Sequence, residues 1–142
     1  MDESSESDPR VAALPDRTLL VLDDDAPFRT RLARAMGQRG FEVTAAGSAA
    51  EAREALRKQA PAFAVVDLRL EDGSGLEVVE TLHQHREDAH AVILTGYGAI
   101  ATAVAAVKAG AIDYLPKPAD VDDIVNALLS ARENRPEPPE NP

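Results

Sequence analysis

The chain contains no cysteine, which removes disulfides and thiolate metal sites from consideration. Its three histidines are scattered. His83 and His85 lie two apart on an expected helix and so do not share a face, which argues against a histidine metal site; all three histidines read as surface residues. A basic stretch is missing as well. Lys and Arg total 15 against 25 Asp and Glu, and the net charge of -10 divides into -3 over residues 1–10, -1 over residues 132–142 and -6 between them. Nothing there forms an electrostatic footprint for nucleic acid. No apolar run approaches the roughly 20 residues of a membrane-spanning helix, and no positively charged leader opens the chain. These absences leave a cytoplasmic protein that does not enter a membrane. Gly73-x-Gly75 and Gly96-x-Gly98 lack the Gly-Lys-Ser/Thr of a phosphate loop, so they read as turn and helix-entry glycines and nucleotide binding is disfavoured.

What the chain has is alternation. Residues 1–17 are acidic and polar, and residues 132–142 are proline-rich; both read as disordered tail or linker around one domain over 18–131. Inside it, strand and helix patterns alternate five times with short connections, the signature of a doubly wound parallel sheet. The first helix follows Asp25 as cap, carries Pro27 in its opening turn, presents Phe28, Leu32 and Met36 on one face, and stops at Gly40. The second and third helices open with Ser48-x-x-Glu51 and Ser74-x-x-Glu77, two capping boxes. A fourth, alanine-rich, covers about 99–109 and ends at Gly110. The fifth starts near Asp120 and turns Val121, Ile124, Val125, Leu128 and Leu129 inward.

The strand sequences rank their own burial. Residues 41–45 alternate and residues 112–115 are partly polar, whereas the other three strands are continuously apolar. The second and fifth strands are therefore expected at the edges, which an order of 2-1-3-4-5 satisfies with right-handed crossovers. The expected fold is a flavodoxin-like (βα)5 sheet in a three-layer α/β/α sandwich, its switch point between the first and third strands.

That switch point is where the chemistry gathers. Asp23 and Asp24 close the first strand, Asp67 the third, Thr95 the fourth, and Lys117 follows the fifth. Three converging carboxylates repel, so at least one is expected to hold its proton more tightly than usual. A divalent cation relieves the repulsion, and an all-oxygen donor set favours magnesium, with manganese as the alternative. Asp67, central in the sheet, is the expected nucleophile, and Thr95 and Lys117 are placed to contact phosphoryl oxygens. The implied chemistry is phosphoryl transfer to an aspartate.

Leu22-Asp23-Asp24, Val66-Asp67-Leu68, Asp72-Gly73-Ser74-Gly75-Leu76, Leu94-Thr95-Gly96 and Asp113-Tyr114-Leu115-Pro116-Lys117-Pro118 occur in that order. Over about 18–131 the chain thereby resembles the receiver domains of two-component response regulators. The resemblance implies that Asp24, Asp67 and the backbone carbonyl of Arg69 hold magnesium with Asp23 assisting. It implies that Asp67 accepts phosphate from a sensor histidine kinase, that Lys117 contacts the phosphoryl group, and that the Lys117-Pro118 peptide is cis. Thr95 and Tyr114 become a switch pair reshaping the face around the fourth helix, and a homodimer on phosphorylation becomes a possible output. Arg69 and Tyr97 occupy positions that tune hydrolysis of the acyl phosphate; both are large and are expected to screen it from water. Thr95-Gly96-Tyr97-Gly98, the alanine-rich stretch and the proline-rich end further resemble redox-responsive global regulators of the RegA/PrrA/ActR type. Such regulators carry a helix-turn-helix domain after the linker, so DNA would be reached only through a segment that this chain lacks.

Two other classes compete. A haloacid-dehalogenase-type phosphatase uses Asp-x-Asp after its first strand, as in Asp23-x-Asp25, but Pro27 and the lack of a later Gly-Asp-x-x-x-Asp pair fit it poorly. A freestanding phosphorelay or interaction module without an output domain fits the same residues as a receiver.

Overall fold

A computed structural model describes residues 7–96, 108, 111, 113–117 and 119–134. Five parallel strands form the sheet: β1 (Thr18–Leu22), β2 (Glu42–Ala46), β3 (Phe63–Asp67), β4 (His90–Thr95) and β5 (Asp113–Pro116). Their order is β2-β1-β3-β4-β5, as the burial ranking required, with the two less apolar strands at the edges. Helices α1 (Ala26–Arg39), α2 (Ala49–Lys58) and α3 (Gly75–His85) and the last helix, Val121–Asn134, cover the two faces. Among the described residues no helix is long and apolar enough to cross a membrane. Apart from Lys108, the fourth helix expected over 99–109 lies outside the described residues, as do Tyr97 and Pro118.

Alternate residues of each strand feed two separate cores. Leu20, Leu22, Ala64, Val66 and Ile93 pack with Leu56 of α2 and Val78, Val79 and Leu82 of α3. Leu19, Val21, Phe63, Val65 and Leu94 pack with Leu32 and Met36 of α1 and with Ile124, Val125, Leu128 and Leu129. Burying each such side chain stabilises the fold by about 1.5–3 kcal/mol, before the cost of ordering it. The sheet is therefore a rigid plate, and its strand ends are fixed points.

Three expectations need correction. The first is that the tail runs as far as residue 17, which does not hold for residues 8–12. Asp8 caps a short helix, Pro9–Ala12, by accepting from the Arg10 N–H at 2.8 Å. Val11 is 0% exposed and belongs to the α1-side core. Arg10 bonds Asn126 of the last helix at 3.1 Å, and the Asp8 N–H donates to the Arg39 carbonyl at 3.3 Å. Gly40 ends α1 at φ +115, and a Cβ there would sit 3.2 Å from Val11 Cγ1. That turn thus favours glycine for its conformation and leaves little room for a side chain.

The second correction concerns the caps. Ser48 accepts from the Glu51 N–H at 3.1 Å, but the Glu51 carboxylate reaches one residue further back, to the Gly47 N–H at 2.7 Å. Ser74 caps α3 by accepting from Leu76, and Glu77 turns away to pair with Arg53 of α2 at 3.4 Å. The third is His90, which is buried rather than on the surface. It opens a central strand, its ring meets Phe63 edge-on at 5.9 Å, and its N–H donates to the Ala62 carbonyl at 2.9 Å.

Candidate functional site

The parallel register brings the residues that follow each strand to one edge. Leu22 pairs with Val66 and Asp67 with Leu94, so Asp23 and Asp24 emerge beside Asp67. One carboxylate oxygen from each of the three lies within 4.8 Å of the others. Asp23 is 1% exposed. Its Oδ1 accepts from the Asp25 N–H at 2.9 Å and its Oδ2 from Lys117 Nζ at 2.9 Å. Lys117 Nζ stands 3.7 Å from Asp67 Oδ1 and 4.8 Å from the centre of the Phe28 ring, a contact that favours the ammonium form. At rest, then, the lysine is bonded to Asp23 and only near Asp67.

Electrostatics single out Asp67. Burial, followed by the charge of Asp23, pushes its pKa up to about 6. Lys117 opposes the shift, Asp24 adds to it, and the Arg69 N–H pulls downward. Burial also works against the Lys117 ammonium, but its hydrogen bond to Asp23 and the charges of Asp67 and Asp23 outweigh that and hold its pKa above the ordinary value. The site concentrates negative charge beyond what its one lysine neutralises. Three carboxylates, no sulfur and no imidazole among them form a donor set suited to a hard divalent cation.

The other expected residues fall around this centre. Thr95, 2% exposed, closes β4, and its carbonyl accepts from the Lys117 N–H at 2.7 Å. Tyr114 pairs in register with Ile93, two residues before Thr95, so Thr95 and Tyr114 occupy the same face of adjacent strands; Tyr114 packs partly buried against the α2-side and α3-side core. Arg69 is exposed and begins a two-residue antiparallel ladder, Arg69–Leu70 with Gly73–Ser74, that closes the loop after Asp67.

Two contributors escaped the sequence reading. Gly75, taken only as a helix-entry glycine, opens α3 so close to the acceptor strand that a Cβ would lie 2.2 Å from the Asp67 carbonyl and 2.6 Å from Val66 Cγ1. Its N–H donates to the Leu68 carbonyl at 2.8 Å, fixing the chain just after Asp67. Arg29 of α1 donates to the Asp23 carbonyl at 2.8 Å, and its guanidinium would lie 2.6 Å from a Cβ at Gly47. A glycine where a helix could start with any residue was the available signal for the first. The second had none.

A five-stranded parallel sheet with an acidic triad, a lysine and a buried threonine along its carboxyl edge is the architecture of a signalling receiver domain. Residues 19–129 match the response regulator receiver domain family, and the chain belongs to it. Among curated proteins, photosynthetic apparatus regulatory protein RegA of Rhodobacter capsulatus is 61% identical over 127 residues, covering 89% of this chain and 69% of that one. Acid tolerance regulatory protein ActR of Rhizobium meliloti (strain 1021) is 56% identical over 128 residues, 90% of this chain and 66% of its own. A Burkholderia pseudomallei response regulator crystallised with a phosphorylated aspartic acid, calcium ion and citrate has a TM-score of 0.77 at 42% identity, covering 84% of this chain and 71% of that one. The chain thus spans about two thirds of the length of the curated regulators it resembles. Membership of this family sets aside the haloacid-dehalogenase alternative.

Proposed function

We propose that this chain accepts a phosphoryl group on Asp67 from a sensor histidine kinase and, in doing so, controls a transcriptional output domain attached after it. The observation that carries this reading is the Asp67 carboxylate itself, seated between Asp23, Asp24 and Lys117 at the switch point of the sheet. The phosphorylated aspartate in the Burkholderia pseudomallei relative supports it. A magnesium ion, or manganese in its place, held by Asp23, Asp24, Asp67 and the Arg69 carbonyl would offset the carboxylate repulsion and share the charge of the phosphoryl oxygens.

Asp67 attacks phosphorus with a carboxylate oxygen, forming the P–O bond of an acyl phosphate while the P–N bond of a phosphohistidine breaks and its electron pair returns to the imidazole. Only the ionised carboxylate attacks, so a proton held at a pKa of about 6 lowers reactivity below neutral pH when no cation is bound. Lys117 moves from Asp23 to a phosphoryl oxygen, a short shift from its resting 2.9 Å bond. The Thr95 hydroxyl donates to another oxygen, and Tyr114, on the same face, follows the vacated space. The resulting change biases a two-state surface that a partner, including a second copy, reads.

Incubation of the wild-type chain and of Asp67→Asn with magnesium and acetyl phosphate, followed by intact mass, tests the acceptor. A single added phosphoryl group on the wild type alone is the expected result. Addition to both, or to neither folded protein, would overturn it.

A further inference from the structure

Asp72 lies in the loop between Asp67 and α3, outside the acidic triad, and its carboxylate does not point to the triad. Its Oδ1 accepts from the Ala49 N–H at 2.8 Å and its Oδ2 from the Ala50 N–H at 3.1 Å. Those two amides open α2 and have no partner within a helix. The next amide, of Glu51, goes to Ser48 Oγ, so local capping already accounts for it and leaves only Ala49 and Ala50 for a distant group. One residue before Asp72, the Glu71 N–H donates to Asp24 Oδ2 at 3.0 Å. The loop is therefore pinned at adjacent residues in two directions, by a carboxylate of the triad on one side and by the start of a helix on the other. Its remaining ends are tied by the Arg69–Ser74 pairing and by the Gly75 N–H on Leu68.

We propose that Asp72 is a positioning residue: by anchoring the loop to the first turn of α2, it sets where the Arg69 carbonyl and the Glu71 amide stand relative to Asp24 and Asp67. This rests on the reading of Arg69 and Asp67 given under the proposed function. Both anchoring bonds are charge-assisted and lie along the α2 axis, where the helix N-terminus favours an anion. They hold the Asp72 pKa below its ordinary value, the Ala49 and Ala50 amides contributing most. Without them, the segment 69–73 keeps its internal ladder and the Glu71 bond to Asp24 but loses its tie to α2. The cost falls on cation affinity, because Asp24 would have to organise the loop alone. It does not fall on the intrinsic reactivity of Asp67, which Asp72 does not touch.

A control comes from the same helix. Ser48→Ala removes the other cap of α2 and weakens that helix without touching the loop, so it separates helix capping from loop positioning. For wild type, Asp72→Ala, Asp72→Asn and Ser48→Ala, three quantities are measured: amide hydrogen exchange by NMR without metal, magnesium affinity by titration, and the acetyl phosphate reaction rate against magnesium concentration. In Asp72→Ala the Glu71 amide should exchange about tenfold faster, and magnesium should bind about tenfold more weakly, the lower range for loss of a supporting contact. Its rate at saturating magnesium should stay within about twofold of wild type. Asp72→Asn, which keeps one acceptor oxygen, should fall between, and it serves if the alanine variant does not fold. Ser48→Ala should lower the melting temperature yet bind magnesium as wild type does.

Unchanged affinity in Asp72→Ala with open Ala49 and Ala50 amides would overturn the positioning role and leave a plain cap. Equal weakening in Ser48→Ala would overturn it too. If the wild type binds no magnesium, the underlying reading of the site falls, a result distinct from wild type and Asp72→Ala binding it equally well.

Discussion

The two ends of the sheet carry the same side chain in opposite circumstances. At the amino edge, Asp16 accepts from the Thr18 N–H at 3.0 Å and the Thr18 hydroxyl at 2.6 Å, and pairs with Arg86 at 2.8 Å. The Thr18 bonds lead the causes that bring its pKa down to about 2. At the carboxyl edge, Asp67 is pushed up to about 6, chiefly by burial and by Asp23. One end satisfies its carboxylate fully. The other leaves a carboxylate short of partners on a scaffold too stiff to relieve it, and a group kept in that condition is available to bind a cation or attack phosphorus. The amino edge also stitches strands together, since Thr18 Oγ1 accepts from Ala62 at 2.9 Å and Arg86 donates to the Ala60 carbonyl at 3.1 Å.

The sharpest way to break the contrast is Asp67→Asn. It should abolish phosphorylation and, without metal, stabilise the protein. With a folded pKa raised above 3.8 to about 6, Asp67 contributes stability that is present below 3.8 and lost as pH rises through 6. Above pH 7 the wild type should thus trail the variant by about 1–2 kcal/mol, a figure discounted for solvent at the rim, and the gap should close near pH 4. Thermal unfolding in chelator across pH reads this directly, and a constant gap would contradict it.

Next in size is Gly75→Ala. A methyl group forced against the Asp67 carbonyl should cost about 2–3 kcal/mol and slow phosphorylation through the acceptor backbone; urea unfolding and the acetyl phosphate rate check both. Arg86→Ala acts on the satisfied end and should cost about 1 kcal/mol at neutral pH. Because the Asp16 pKa is lowered, its contribution is present above 3.8 and disappears as pH falls through about 2. The variant should therefore acid-unfold at a higher pH than the wild type, yet phosphorylate normally.

The smallest effect on the protein as a whole, Asp23→Asn, sharpens the comparison by making the two ends more alike. Deleting that charge and freeing Lys117 for Asp67 should lower the Asp67 pKa, read by carboxyl 13C NMR without metal.

Much of this was legible in the linear sequence because the strand-end residues depend on register, and register follows hydrophobic pattern. The apolar runs before Asp23, Asp67 and Thr95 placed them on one edge, and the two less apolar strands declared the sheet order. What was hidden depends on partners far apart in sequence. Val11 is one apolar residue in an acidic stretch, and only the hollow beside Gly40 gives it a place in the core. His90 reads as a surface residue until β4 proves central. Glu77 fits a capping box, but Arg53 on α2 competes for it. The Asp72 bonds span more than twenty residues, beyond any local pattern.

Lys117 shows what such an arrangement means over time. Its ammonium already sits against Asp23 and over Phe28 before any phosphoryl group arrives. A cation drawn in from water at each signal would have to shed its hydration each time and regain it on reset. Here that loss is incurred once, when the chain folds, so that under the proposed function each cycle would only exchange one anionic neighbour for another. Under the proposed function, the desolvation of the ammonium would then stay outside the signalling cycle.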